Sequence, residues 1–398
     1  MRKVGVVSLY YRSLNLGGLL QSYAMTRILD NAGYESRQIC YEKVGLDKNG
    51  ILLERQMKIS LLKVVGLKKI VSKTWNLLTR PFEGVVNKRI KMQLEKQRNI
   101  FSEFEAFVPH TENIYNAANV DDCNNEFDMF VCGSDQVWNP SLLAHRAYFL
   151  DFVNKEKRVV AYAVSAGKSR LTEIEQSVFS KYIKKFEILG VREKSLQTLL
   201  ENFNKKSEVV LDPTLLLSTD EWQEIANFSV VPKEKYIFCY FLGGTVWQRK
   251  MVANFAKQRN IKVIHLPYIM NKYRVCDKYL QGEGRYDVGP REFIALVQGA
   301  EYIFTDSFHA MAFSFLFQKQ FYIFDRNSER GALSMNARIN DFLEMFQLEE
   351  RHIVTKKDRL DNMQIDYAKI VPIYDEKKKS SINFLCTKLE TENEIGIL

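Results

Sequence analysis

The sequence predicts an α/β protein built as two Rossmann-like domains facing a cleft. Three observations carry that reading. Short apolar strands alternate with amphipathic helical stretches, the alternation restarts after Asp212-Pro213-Thr214, and chemically able residues gather in the loops that follow strands.

In chain order, Val4 to Leu9 reads as a buried strand. A loop with Asn15-Leu16-Gly17-Gly18 follows, then an amphipathic helix from about Leu19 to Asn31 that Gly33 closes. Further strands are expected at Phe127 to Cys132, Val159 to Val164, Ile188 to Val191 and Val209 to Leu211, with helices at about Glu173 to Phe186 and Ser195 to Phe203. Such alternation implies a mainly parallel sheet covered by helices. The second unit repeats the theme. It has strands at Tyr236 to Leu242, Lys262 to Leu266, Tyr302 to Thr305 and Phe321 to Phe324, and helices at about Val246 to Arg259, Arg291 to Gln298 and His309 to Phe317. The expected division is an N-terminal domain over 1–212, interrupted by a basic helical insertion at about 52–104, and a C-terminal domain over 213–398. The last helix is expected to pack back on the first domain. Ligands of open α/β sheets sit beyond the carboxyl ends of the strands, which places the active site in the cleft between the domains.

The 398 residues carry 57 Lys and Arg against 48 Asp and Glu, a formal +9. That excess is local. Residues 55–98 hold twelve basic side chains against Glu83 and Glu95, a net +10, so the other 354 residues sum to −1. A nucleic-acid binder with basic faces over its folded body is disfavoured. With 46% hydrophobic and 26% charged residues, 8 Pro and 19 Gly, the chain is globular rather than disordered or collagen-like. Six scattered cysteines, without a CxxC pair or a neighbouring His, suit isolated thiols in a reducing compartment and give neither a disulfide framework nor a zinc site. The apolar run within Met1 to Ser8 is too short for a signal peptide, and none reaches the length of a membrane span. A cytoplasmic, soluble protein is expected.

Thr305-Asp306-Ser307-Phe308-His309 joins a strand to a helix, so a His, a carboxylate and a hydroxyl meet where free N–H groups favour an anion. In the plain reading Asp306 or Ser307 is an N-cap and His309 a packed first-turn residue. In the functional one His309 is a general acid, since an imidazole carries a usable proton near neutral pH. Arg192, at another strand end, either grips a carboxylate or phosphate bidentately or pairs with a surface carboxylate. Gly17-Gly18 would let a ligand approach the backbone closely, although neither matches a phosphate-loop pattern. Ser134, Asp135, Gln136 and Trp138 form a polar, aromatic loop after a strand. They are either sugar-binding equipment or a structured turn with Trp138 in the core.

Taken together, Asn15-x-Gly17-Gly18-Leu-Leu-Gln21, Cys132-Gly-Ser-Asp-Gln-Val-Trp-Asn-Pro140, Val191-Arg-Glu-Lys-Ser195, Leu211-Asp-Pro-Thr214, Thr305-Asp-Ser-Phe-His309 and Ala337-Arg-Ile339 resemble the polysaccharide pyruvyl transferase family, from about Gly17 to Arg338. The resemblance implies the two-domain glycosyltransferase B fold. It also implies transfer of the pyruvyl group of phosphoenolpyruvate (PEP) to sugar hydroxyls as a ketal, on capsules, exopolysaccharides or cell-wall glycans. Members bind PEP with an Arg-x-His stretch and an upstream Arg. His309 and Arg192 match two of these, while Ser307 stands where that stretch has its Arg. Arg338 is a candidate for the missing positive charge.

The same resemblance implies a division of labour. His309 is the acid/base, Asp306 orients it, Arg192 clamps the PEP carboxylate or phosphate, and Ser307 donates to the phosphate. Gly17, Gly18, Gln21, Ser134, Asp135, Gln136, Trp138 and Arg338 complete the substrate site. No metal and no cofactor is required, PEP being the donor substrate and a glycan or lipid-linked oligosaccharide the acceptor. A nucleotide-sugar glycosyltransferase and a non-catalytic scaffold of glycan assembly are the alternative functions. Lys58 to Arg80 interleaves Lys with Leu, Ile, Val and Trp75, the pattern either of a packed excursion with a solvated basic face or of a peripheral contact with an anionic membrane.

Overall fold

A computed structural model describes residues 1–44, 46, 50–57, 91–93, 95–167, 170–268, 274–326, 337–360 and 364–390. The basic stretch at 58–80 lies outside the described residues.

Seven parallel strands form the first sheet: β1 (Lys3–Val7), β2 (Glu35–Tyr41), β3 (His110–Tyr115), β4 (Met129–Cys132), β5 (Arg158–Val164), β6 (Ile188–Val191) and β7 (Lys206–Val209). Their spatial order is β3-β2-β1-β4-β5-β6-β7. The second sheet is also parallel. It contains β8 (Tyr236–Tyr240), β9 (Lys262–Leu266), β10 (Glu283–Gly284), β11 (Tyr302–Thr305), β12 (Gln320–Phe324) and β13 (His352–Ile353), in the order β10-β9-β8-β11-β12-β13. Both faces of each sheet are buried. On β4, Met129 and Val131 enter one apolar core while Phe130 and Cys132 enter another, and β8 divides its residues in the same way.

The described helices are α1 (Leu16–Asn31), α2 (Glu173–Ile183), α3 (Lys194–Glu201), α4 (Thr219–Ile225), α5 (Val246–Arg259), α6 (Pro290–Gly299), α7 (Phe308–Leu316), α8 (Ala337–Met345) and α9 (Tyr367–Leu389). Residues 50–57, 91–93 and 95–105, at and within the bounds of the expected insertion, are helical as well. Among the described residues no helix is long and apolar enough to cross a membrane. All six cysteines are free thiols.

One core runs through both units. Trp222, from α4, meets Tyr23 of α1 at 5.7 Å between ring centroids and Phe313 of α7 at 4.9 Å, and its indole N–H donates to the Thr214 carbonyl. Helix α9 begins on the second unit, where the Tyr367 hydroxyl donates to the Lys319 carbonyl. It ends on the first, where the Ser381 hydroxyl accepts the Leu211 N–H and Phe384 fills the space above Gly190. The two switch points of strand order, β1/β4 and β8/β11, therefore open on the space between the units, where ligand sites of such sheets form.

Candidate functional site

Loops from both switch points enclose a cavity of about 120 Å³. The first unit contributes Leu14 and Asn15 after β1 and Asp135 and Gln136 after β4. The second contributes Tyr240, Leu242, Tyr268, Ser307, Phe308, His309, Arg326 and Arg338.

His309 lies in the first turn of α7 and is buried. Its ring rests on Gly17 of α1 so closely that a Cβ built there would stand 1.9 Å from Nδ1. Its Nε2 faces Asp212 Oδ2 at 3.8 Å and has no hydrogen-bond partner. Burial lowers the pKa of His309 below its ordinary value, Arg192 and Arg338 push the same way, and Asp212 and Asp135 resist. The free site thus favours a neutral imidazole.

Behind the cavity, Arg192 donates from Nη1 to Asp212 Oδ2 at 3.0 Å and from Nη2 to Asp135 Oδ1 at 3.3 Å, with its guanidinium 4.6 Å over the Phe308 ring. Asp135 is held at φ +63, a conformation that Asp tolerates better than most residues and that sets its carboxylate toward Arg192. Burial alone would raise its pKa, but Arg192, His309 when its ring is protonated, and Arg338 outweigh it and hold Asp135 down at about 2. Asp212 is lowered likewise, burial being overcome by His309 when its ring is protonated, by Arg192 and by hydrogen bonds from Thr214. These carboxylates are charged and fully engaged.

The cations on the cavity wall are different residues. Arg338 places Nη1 3.9 Å from Asp135 Oδ1, and Arg326 reaches the Asp306 carbonyl from Nη2 at 3.5 Å. The Nε of each is buried and unpartnered. Burial first, then the neighbouring Arg192 and Arg326, push the Arg338 pKa down to about 9. A guanidinium rarely gives up its proton, so the direction reflects a charge that its neighbours compensate poorly, a setting that favours an anion. Ser307 and the first N–H groups of α7 border the same space. Among the described residues no group of three or more His, Cys, Asp or Glu side chains is placed to hold a metal ion.

Several expected roles change. Asp306 does not orient His309. Its carboxylate accepts the N–H groups of Leu242 and Gly243, both at 2.6 Å, because the turn after β11 directs it at the loop after β8. Arg192 is no clamp at the cavity wall. Its side chain is 1% exposed and spent on carboxylates, and the guanidinium groups that line the cavity are those of Arg326 and Arg338. Trp138 is fully buried, stacked on Phe149 with its N–H donating to the Tyr148 carbonyl, so it has no face to offer a sugar. Gln21 and Ser134 are also fully buried and support the site from behind. Gln21 Oε1 accepts the Ser134 N–H, and the Ser134 hydroxyl donates to Asp212. What approaches the glycine pair is the protein itself, His309 at Gly17 and the Leu9 carbonyl at Gly18. Asp135, Gln136, Ser307, His309 and Arg338 do meet at one cavity.

Sequence alone gives no role to Asn15, Asp212 or Arg326. Asn15 caps α1 by accepting the Gly17 N–H, and Nδ2 donates to Asp135 at 3.5 Å. The Asp-Pro-Thr of Asp212 reads as a local turn cap, which it is through Oδ1, while the long-range work falls to Oδ2.

Comparison with solved structures bears on the fold. UDP-GlcNAc 2-epimerase from Methanocaldococcus jannaschii, in complex with UDP-GlcNAc and UDP, is 12% identical with a TM-score of 0.50, over 96% of this chain and 98% of that one. The Neisseria meningitidis UDP-GlcNAc 2-epimerase (10%, TM-score 0.46, 98% and 99% covered) and the Escherichia coli ADP-heptose LPS heptosyltransferase II (10%, 0.38, 98% and 100%) are more distant. At such identities the likeness is one of architecture, the paired parallel sheets of the glycosyltransferase B fold. No curated protein sequence matches the chain. The model of one sequence family, polysaccharide pyruvyl transferase, matches residues 15–328, from the α1 cap to just past Arg326. That span takes in every cavity residue described above except Leu14 and Arg338, and the chain belongs to this family.

Proposed function

We propose that this transferase moves the pyruvyl group of PEP onto two hydroxyls of a glycan and releases phosphate. The observation that carries the reading is the pair of arginines, Arg326 and Arg338, each with a buried and unpartnered Nε, beside an enclosed histidine in a cavity suited to a small anion rather than a nucleotide sugar. PEP carries a carboxylate and a phosphate, and both can be met by these arginines, Ser307 and the α7 N-terminus. The atoms balance simply. The enol carbon gains two C–O bonds to the glycan and loses its bond to the phosphate oxygen and its π bond to the methylene. One hydroxyl proton ends on the former methylene carbon, now a methyl, and the other leaves on phosphate.

His309 is the acid/base, giving a proton to the methylene carbon and recovering one from the attacking hydroxyl. An arriving anion raises the proton affinity that burial lowers, so donor binding itself readies the acid. An open groove of about 700 Å³, lined by Tyr11, Arg12, Phe101, Glu105 and His110, shares Leu14 with the cavity and supports an acceptor lying along the first unit. Contact of 58–80 with an anionic leaflet would bring the protein to a lipid-linked acceptor. Vesicle sedimentation, with Lys63, Lys68, Lys69 and Lys73 changed to Glu as control, reads this.

Phosphorus NMR of PEP with purified protein and lipid-linked oligosaccharides is the test. Phosphate release that requires acceptor is expected, and His309→Ala should lower it by roughly 100- to 10,000-fold. Saturation by a nucleotide diphosphate sugar instead of PEP would move the protein to the glycosyltransferases.

A further inference from the structure

We propose that Asp212 is the positioning residue that fixes the resting tautomer of His309, with the proton on Nε2 facing Asp212. The inference rests on the reading of His309 as the acid/base and adds which nitrogen carries the resting proton.

Asp212 belongs to the connection between the two sheets and its side chain is fully buried. Oδ1 is consumed locally by the Thr214 N–H at 3.1 Å and the Thr214 hydroxyl at 2.8 Å. Oδ2 accepts from the Ser134 hydroxyl at 2.9 Å and from Arg192 Nη1 at 3.0 Å, and it faces His309 Nε2 at 3.8 Å. No other carboxylate of the described residues lies within 4.0 Å of that ring. A carboxylate oxygen repels an imidazole lone pair and attracts an N–H, so the neutral ring keeps its proton on Nε2. At 3.8 Å the contact is electrostatic, and a contraction of under an ångström on substrate binding turns it into a hydrogen bond, as apo catalytic contacts commonly tighten.

The remaining charged groups acting on His309 leave this bias in place. Asp135 is occupied by Arg192 and by Arg338 at 3.9 Å, and both arginines oppose a protonated ring. Nε2 is enclosed and faces the carboxylate, while Nδ1 lies against the bare Cα of Gly17, so the ring is held between Asp212 and α1. Because the same Oδ2 holds Arg192, the ring on the second unit is registered against the carboxylate and guanidinium cluster of the first.

Asp212→Asn is the decisive variant. The amide oxygen can still accept from Thr214. Its NH₂ has a partner in the Ser134 hydroxyl, which can donate to the Ala163 carbonyl at 3.2 Å instead, and Arg192 retains Asp135. An NH₂ facing Nε2 demands a lone pair there and reverses the tautomer. Nitrogen-15 histidine NMR of the free enzyme, with the His309 signal identified by its loss in His309→Gln, should show the Nε2–H form in wild type and the Nδ1–H form in Asp212→Asn. Acceptor-dependent phosphate release should fall roughly 100-fold, with the KM for PEP changed much less. Thr214→Val, which disturbs only the Oδ1 side, should keep the wild-type tautomer. An Nδ1–H form in wild type, an unchanged tautomer in Asp212→Asn, or an equal change in Thr214→Val would each overturn the assignment. The wild-type spectrum decides even where a variant does not fold. Lack of turnover with PEP would remove the proposed donor and leave the tautomer comparison standing.

Discussion

Replacing Gly17 by Ala is a one-carbon perturbation whose effect can be worked out in advance. Gly17 sits in the first turn of α1, where Ala is the better helix former by up to about 1 kcal/mol, so the helix itself gains. The new Cβ would lie 1.9 Å from His309 Nδ1, 2.4 Å from Cε1 and 2.5 Å from Cγ, where ordinary contact begins near 3.4 Å. The ring must therefore give by roughly 1.5 Å, and it cannot retreat freely because Asp212 and Phe308 stand behind and beside it. A misplacement of about 1 Å in a catalytic group costs on the order of 100-fold. Gly17→Ala is thus expected to remain folded with stability lowered by about 1–3 kcal/mol, the cost of overpacking less the helix gain, while losing at least about 100-fold in acceptor-dependent phosphate release. Gly244→Ala is the control, for a Cβ there meets nothing within 4 Å. Wild-type turnover in Gly17→Ala would show that the position of His309 does not matter to the chemistry, and the proposed acid/base would fall with it.

Other outcomes rest on the same geometry. Arg338→Gln should weaken PEP binding, read by calorimetry, by tenfold or more, since a charge-assisted hydrogen bond contributes about 1.5–3 kcal/mol; stability should hold, because the charge removed is poorly compensated. Trp138→Ala should cost about 3–5 kcal/mol in chemical denaturation, as expected of a stacked, fully buried ring rather than a sugar platform. For pH, the folded pKa of Asp135, about 2, lies below its ordinary 3.8, so its stabilisation is complete above pH 4 and lost as pH falls through 2. The advantage of wild type over Asp135→Asn should accordingly shrink by about 2 kcal/mol between pH 6 and pH 2, measured by urea titration at each pH.

Local pattern made the architecture readable where strands are uniformly apolar, as at β1, β4 and β8. It failed at β2, Glu-Ser-Arg-Gln-Ile-Cys-Tyr, whose Ser36 and Gln38 are buried polar residues. Gln38 is satisfied by the Ser8 hydroxyl and the Ser22 carbonyl, partners distant in sequence, so polarity there does not mean exposure. The same distance hid part of the site. Asp306 is three residues from His309 yet points away, whereas Asp212 lies 97 positions earlier in the chain and faces it. Arg326 follows β12 as an unremarkable strand end, and only the meeting of two sheets gives it a cavity to line. At Trp138, polar neighbours in the loop said nothing about the ring, which is directed by Phe149, Phe179 and Phe186 beneath it.

Helix α9 has a mechanical meaning. Its 23 residues span roughly 34 Å, rooted on one unit at Tyr367 and on the other at Phe384. Together with the connection at 210–218 it ties the second unit to the first at both of its ends, so the register of the two sheets is set by two crossings of the chain rather than by one linker. Asp212 lies in the first of those crossings, which places the carboxylate that faces His309 where the two units are joined.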